Sequence, residues 1–219
     1  MALSLSAHDY LVRSRLETAL RDIISGLEYK TVLDVGAGSK PYEYLFHDCE
    51  YISLDLSSAD IKGSGESLPI KSESVDLVIS TQVLEHVLNP IQFIHEMKRV
   101  LKPCGHAIVS THGVYPIHAA QDYWRWTDQG LREMFAGFDD VEIVPLGGYW
   151  LCMFQLAAIA VNARKITKLI LPLVNSVGSL DFGKNAKMSV GYVVKSKKFE
   201  LLPKVEQQEQ DCCGLPEGA

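Results

Sequence analysis

The chain of 219 residues predicts an α/β fold built on a mostly parallel sheet with helices on both faces. Three observations carry this. Val32-Leu33 with Val35 is a short apolar run, read as a buried parallel strand, that leads straight into Gly36-Ala37-Gly38. A second run, Tyr51-Ile52-Ser53-Leu54, ends in Asp55. Strand-like and helix-like patterns then alternate through residue 111, the signature of βαβ units. Glycines at a strand exit let the backbone turn tightly and let a ligand approach it. A proline-started helix is expected from Pro41, its N–H groups and partial positive charge aimed into the turn. Such a junction holds the charged end of a nucleotide-like cofactor.

The loop selects among cofactors. A dinucleotide fingerprint needs a third glycine, and Pro41 stands there. The Lys-Ser/Thr pair of a P-loop is absent. Asp55 can accept hydrogen bonds from two ribose hydroxyls. A nucleoside with a modest charged tail fits better than NAD.

The remaining elements follow in order. Residues 8–27 are an amphipathic helix with Leu11, Val12, Leu16, Leu20, Ile24 and Leu27 on one face. Asn89-Pro90 starts a helix anchored by Ile91, Ile94, Val100 and Leu101. Thr127 or Asp128 caps a helix running through Phe135. Val141–Val144 and Met188–Lys195 read as strands. No repeat or linker divides the chain, so residues 1–202 are expected to form one domain. The polar stretch 203–219 is expected to be disordered. Between 146 and 180 two apolar runs flank Arg164-Lys165. Each is shorter than the roughly 20 residues a spanning helix needs. They are expected to be helices that pack on the core or cover the acceptor side as a lid. The alternative is a surface for a membrane or lipid-linked substrate.

Composition narrows the function. With 47% hydrophobic residues the chain can bury one substantial core. A net charge of −6 without a basic stripe argues against a nucleic-acid partner. Five cysteines, with no C-x-x-C, suggest reduced thiols in a cytoplasmic protein and no metal site. The first residues, with His8, Asp9 and Arg13, show no apolar signal-peptide core.

In order and spacing, five blocks resemble the class I S-adenosylmethionine-dependent methyltransferases, type 11-like. They are TVLDVGAGSKPY from Thr31, ESLPI from Glu66, SVDLVIS from Ser74, TQVLEHV from Thr81 and EMKRVLKPCGHAIVS from Glu96. The resemblance covers about residues 31–111. It implies a Rossmann-like methyltransferase fold of seven strands, the last one antiparallel, and S-adenosyl-L-methionine as cofactor. Its implied binding residues are Asp34, Gly36, Ala37, Gly38, Lys40, Asp55, Leu56, Gly65, Glu66, Thr81, Gln82 and Val83. Asp34 is expected chiefly to brace the glycine loop, and Lys40 either meets the cofactor carboxylate or is solvated. Two positions depart from the pattern. Ser64 replaces an acid that contacts adenine, which shifts that task to Gly65 and Glu66. Cys104 replaces the first glycine of a Pro-Gly-Gly turn, an exchange expected to cost little because Gly105 remains.

Residues 111–130, THGVYPIHAAQDYWRWTDQG, follow the fifth strand and reach the ligand-binding edge of the sheet. This stretch resembles a methyltransferase subgroup of glycan and surface-polysaccharide pathways. His118 or His112 is expected to act as base, with Asp122 orienting it. Arg125 either clamps a charged acceptor group or satisfies a carboxylate as part of a structural lid, Tyr123-Trp124-Arg125-Trp126. His86 is given a supporting role. The expected reaction is O-methylation of a small-molecule or glycan acceptor, with no metal. The alternatives are a quinone-like or lipid-linked acceptor, or a non-catalytic cofactor-binding regulator.

Overall fold

A computed structural model describes residues 7–162, 171–178 and 187–199. Arg164-Lys165, the 203–219 stretch and Cys212-Cys213 lie outside the described residues. The elements are α1 (Tyr10–Ile24), β1 (Thr31–Val35), β2 (Glu50–Asp55), β3 (Ile61–Lys62), β4 (Val75–Thr81), α2 (Pro90–Val100), β5 (Leu101–His112), α3 (Asp128–Met134), β6 (Asp139–Pro145), α4 (Tyr149–Asn162), α5 (Leu171–Gly178) and β7 (Gly191–Lys197). Among the described residues the sheet has seven strands in the order β3-β2-β1-β4-β5-β7-β6. Strands β1 to β5 pair in parallel, and β7 runs antiparallel between β5 and β6. This is the expected Rossmann-like arrangement, with the order reversing between β1 and β4.

Strand β1 sits at the centre, so its residues Val32 to Val35 are all buried. Strand geometry turns alternate side chains to opposite faces. Leu33 joins Phe93, Met97, Leu131 and Phe135 under α2 and α3. Val32 joins Leu11, Leu16, Leu20, Leu151 and Val193 under α1 and α4. The Asn89 side chain accepts from Gln92 N at 3.2 Å and sets the start of α2. That phase turns Phe93, Ile94 and Met97 inward and leaves Ile91 71% exposed, so Ile91 anchors nothing. Thr127 caps α3 by accepting from Gly130 N at 3.1 Å.

Three expectations change. The helix after the glycine loop does not form; a single 3-10 turn, Glu43–Leu45, stands there. Lys40 has φ 54°, outside helical geometry, and Phe46 is already extended. The short connection instead buries Leu45 and Phe46, the latter 5.6 Å from the Tyr51 ring. No helix dipole therefore acts on the loop. Secondly, the choice between core packing and a lid narrows in the described residues: α4 and α5 are a docked layer. Leu151, Cys152, Ala158 and Leu171 are buried. Gln155 Nε2 donates to His8 O at 2.8 Å, and Asn175 Nδ2 to Ala7 O at 2.9 Å. Among the described residues no helix is long and apolar enough to cross a membrane. Thirdly, Pro103-Cys104-Gly105 is a bulge inside β5, where the register to β4 slips. Cys104, at φ 61°, carries the left-handed conformation, while Gly105 is needed for space, its Cβ position lying 2.9 Å from Asp76 O. The departure from glycine falls on the strained residue.

Candidate active site

A cavity of about 470 Å³ opens over the carboxyl ends of β1, β2 and β4. This is the edge where open α/β sheets bind ligands, beside the strand-order reversal. Its two ends are built differently.

One end is mainly backbone. Gly36 (φ 76°) and Gly38 (φ 51°) take left-handed conformations that L-residues avoid. A Cβ on Gly36 would lie 2.5 Å from Val83 Cγ2, whereas one on Gly38 would meet nothing within 4 Å. Gly36 N and Ala37 N donate to Leu54 O at 2.8 and 3.2 Å. Asp55 Oδ2 accepts from Gly38 N at 3.0 Å, and Oδ1 accepts from Ser57 N at 3.0 Å. Burial raises the Asp55 pKa, but N–H groups of Ser57, Gly38 and Leu56 outweigh it, and the net shift is downward. Asp55, not Asp34, braces the glycine loop. Asp34 is buried and takes its hydrogen bond from the Tyr51 hydroxyl. Its Oδ1 is buried without a partner, and burial pushes its pKa up to about 6. Lys40 Nζ pairs with Asp60 at 3.0 Å. Leu56, Gly65, Glu66, Gln82 and Val83 line the cavity, and Thr81 ends β4 beside them. Glu66 Oε1 accepts from Asn89 N at 2.6 Å. Gln82 is held left-handed, φ 56°, with its N–H on Ser110 O at 3.0 Å.

Behind the other end stands a side-chain network. After β5 the chain folds back over the exit of β4: Tyr123 N donates to Glu85 O at 2.8 Å and Trp124 Nε1 to Val87 O at 2.7 Å. Arg125 spends all its donors inside this loop. It reaches Tyr115 O (2.8 Å), Pro116 O (2.7 Å), Trp124 O (2.7 Å) and both oxygens of Asp122. It therefore positions the loop and has no N–H left to clamp an acceptor. The guanidinium holds the Asp122 carboxyl far below the usual carboxylate range. Asp122 Oδ2 also lies 3.0 Å from His118 Nδ1, the orienting contact expected from sequence. His118 stands edge-on to His112 and His86, with ring centroids 5.0 and 4.9 Å apart. His112 is 5% exposed and stacks on Tyr115 at 4.0 Å. Burial, reinforced by the nearby His118 and Arg125 charges, pushes its pKa down to about 3, so it is neutral at pH 7.

The four residues expected to be catalytic thus gather in one knot, but none lines the cavity. His86, Gln121 and Tyr123 do. His86 Nδ1 donates to the Gln121 carbonyl, which fixes the tautomer and leaves Nε2 with a lone pair. The signal for His86 was its place just beyond the β4 exit, on the same sheet edge as the glycine loop.

Residues 33–109 match the family of methyltransferase domains. An uncharacterized methyltransferase of Mycobacterium leprae is 33% identical over 98 residues, covering 37% of this chain and 36% of the relative. The chain spans well under half the length of the curated relatives it matches. Among solved structures, Haemonchus contortus phosphoethanolamine N-methyltransferase 2, bound to S-adenosylhomocysteine, superposes with TM-score 0.57 at 14% identity, over 84% of this chain and 53% of that one. The [4+2]-cyclase SpnF superposes with TM-score 0.55 at 18% identity, over 85% and 80%. These likenesses establish the methyltransferase fold; a cyclase on the same fold shows that chemistry must be argued from the site.

Proposed function

We propose that this chain transfers the methyl group of S-adenosyl-L-methionine to a hydroxyl of a small ring-bearing acceptor, sugar or aromatic. One observation carries the reading: a left-handed glycine loop braced by Asp55 and a histidine with a free Nε2 face the same cavity. The residues fit the cofactor. Gly38 leaves open space where any other side chain would project, Asp55 keeps lone pairs beyond its loop contacts, and Asp34 Oδ1 is a buried acceptor awaiting a donor. S-adenosylmethionine, when bound, supplies a methyl group already activated on sulfur.

What the chain adds is alignment and proton handling. Gly36, Gly38 and Asp55 would hold the amino-acid and ribose parts. His86 Nε2 would accept the acceptor's hydroxyl proton, with Gln121 O fixing its ring. Tyr123, 47% exposed at the cavity wall, offers a ring face for stacking. His118 stands behind His86 as its packing partner.

Calorimetry tests the cofactor reading. S-adenosylhomocysteine should bind and NAD should not. Asp55→Ala should weaken binding by about 1.5–3 kcal/mol, the worth of hydrogen bonds to a charged group. Binding of NAD with indifference to both adenosyl ligands would overturn it.

A further inference from the structure

Behind the cavity wall lies a cluster that the proposed reaction does not use. Glu85 Oε2 accepts from Thr111 Oγ1 at 2.8 Å, but Oε1 is fully buried and has no hydrogen-bond partner. His112 Nε2 faces that oxygen at 3.5 Å. His118 completes the group: one ligand-capable atom from each of the three residues lies within 4.8 Å of the others. A buried carboxylate oxygen without a donor is expensive to maintain. A cation would resolve the cost.

We propose that Glu85, His112 and His118 bind one divalent transition-metal ion, such as Zn²⁺ or Co²⁺. Two imidazoles and one carboxylate are a borderline donor set that suits these ions over Ca²⁺ or Mg²⁺. A tetrahedral ion with ligands at about 2.1 Å sets its ligand atoms about 3.4 Å apart. The Glu85–His112 separation of 3.5 Å already matches. Closing His118 onto the pair from within 4.8 Å needs a shift of at most about 1.4 Å, which its 33%-exposed ring can make by pivoting about the contact of Nδ1 with Asp122. The outer support is present as well. His118 offers Nε2 because its Nδ1 is tied to Asp122, and Asp122 is locked by Arg125. A carboxylate behind a ligand histidine is the usual means of fixing its tautomer and raising its basicity.

Each ligand comes from a different segment: Glu85 from the β4 exit, His112 from the end of β5, His118 from the loop that follows. The ion would pin this loop to the sheet and so hold the wall that carries His86. This role in acceptor binding rests on the proposed methyl transfer; ion binding itself does not.

The test uses full-length protein stripped with chelator and titrated with Co²⁺ and Zn²⁺. The expected result is one ion per chain and a visible Co²⁺ spectrum of nitrogen and oxygen ligation. His118→Ala and Glu85→Gln should each weaken binding at least 100-fold, and Asp122→Asn by about 10–100-fold. Because Glu85→Gln can disturb folding, His118→Ala is the deciding variant, accepted only if its S-adenosylhomocysteine affinity equals that of wild type. That control also separates failure of the ion site from failure of the cofactor reading. No stoichiometric binding by the wild type, equal affinity in His118→Ala, or a thiolate-to-cobalt charge-transfer band would overturn the proposal.

Discussion

The two ends of the cavity would hold their proposed ligands with opposite materials. The cofactor end uses backbone: two left-handed glycines, carbonyls of the sheet and one carboxylate. The wall behind the proposed acceptor end uses side chains from three segments that lock one another: Arg125 on Asp122, Asp122 on His118, and Glu85 beside His112. A backbone site tolerates most side-chain changes but almost none at its glycines. A network site can be undone at any member, because each removal strands a buried partner.

The largest expected effect is at the acceptor end. His86→Ala should slow turnover by roughly 10²–10⁴-fold while S-adenosylhomocysteine affinity stays level, measured by steady-state kinetics and calorimetry. Equal losses in both would merge the two ends into one unit.

Arg125→Leu sharpens the contrast in stability. It leaves the Asp122 carboxylate, whose side chain is wholly shielded from solvent, without its cation. A loss of about 3 kcal/mol is expected, read as a melting-temperature fall of roughly 6–12 °C. An unchanged melting temperature would show that the network is decoration.

Asp34→Asn probes the cofactor end by pH. Burial raises the native pKa to about 6 from 3.8. The native state therefore binds the proton more tightly than the unfolded chain, and stability falls as pH rises from about 4 to 6. Asparagine still accepts from Tyr51 and carries no charge. The variant should lack that decline and be about 3 kcal/mol more stable at pH 7, by urea unfolding at pH 5 and 7. The smallest effect lies outside both ends. Cys104→Gly relieves a left-handed residue in the β5 bulge and should stabilise by about 0.5–1 kcal/mol, with activity unchanged.

The same contrast explains what could be read from sequence. The glycine loop and Asp55 were legible because backbone demands leave a fixed residue type at a fixed spacing. Strands β1, β2, β4 and β5 were legible as apolar runs. The helix after Pro41 was misread because the left-handed Lys40 and the burial of Leu45 and Phe46 belong to tertiary packing. Sequence leaves Arg125 open between acceptor clamp and structural partner, since nothing in a sequence shows that three loop carbonyls converge on it. The contact that orients His86 is not legible in sequence, because Gln121 arrives from 35 residues away.

The placement of β7 has a consequence for synthesis. A chain made N-terminus first exposes β1 to β5, and then β6, before Gly191–Lys197 exists. Until that strand arrives, β5 offers an open edge from His106 to His112, and β6 has no neighbour in the sheet. The nascent protein thus holds a nearly finished cofactor end beside one open edge and one unpaired strand, the kind of edge that recruits other chains. Among the described strands, the one that joins β6 to the sheet is the last to be made, and the interval before it is when a chaperone would matter most.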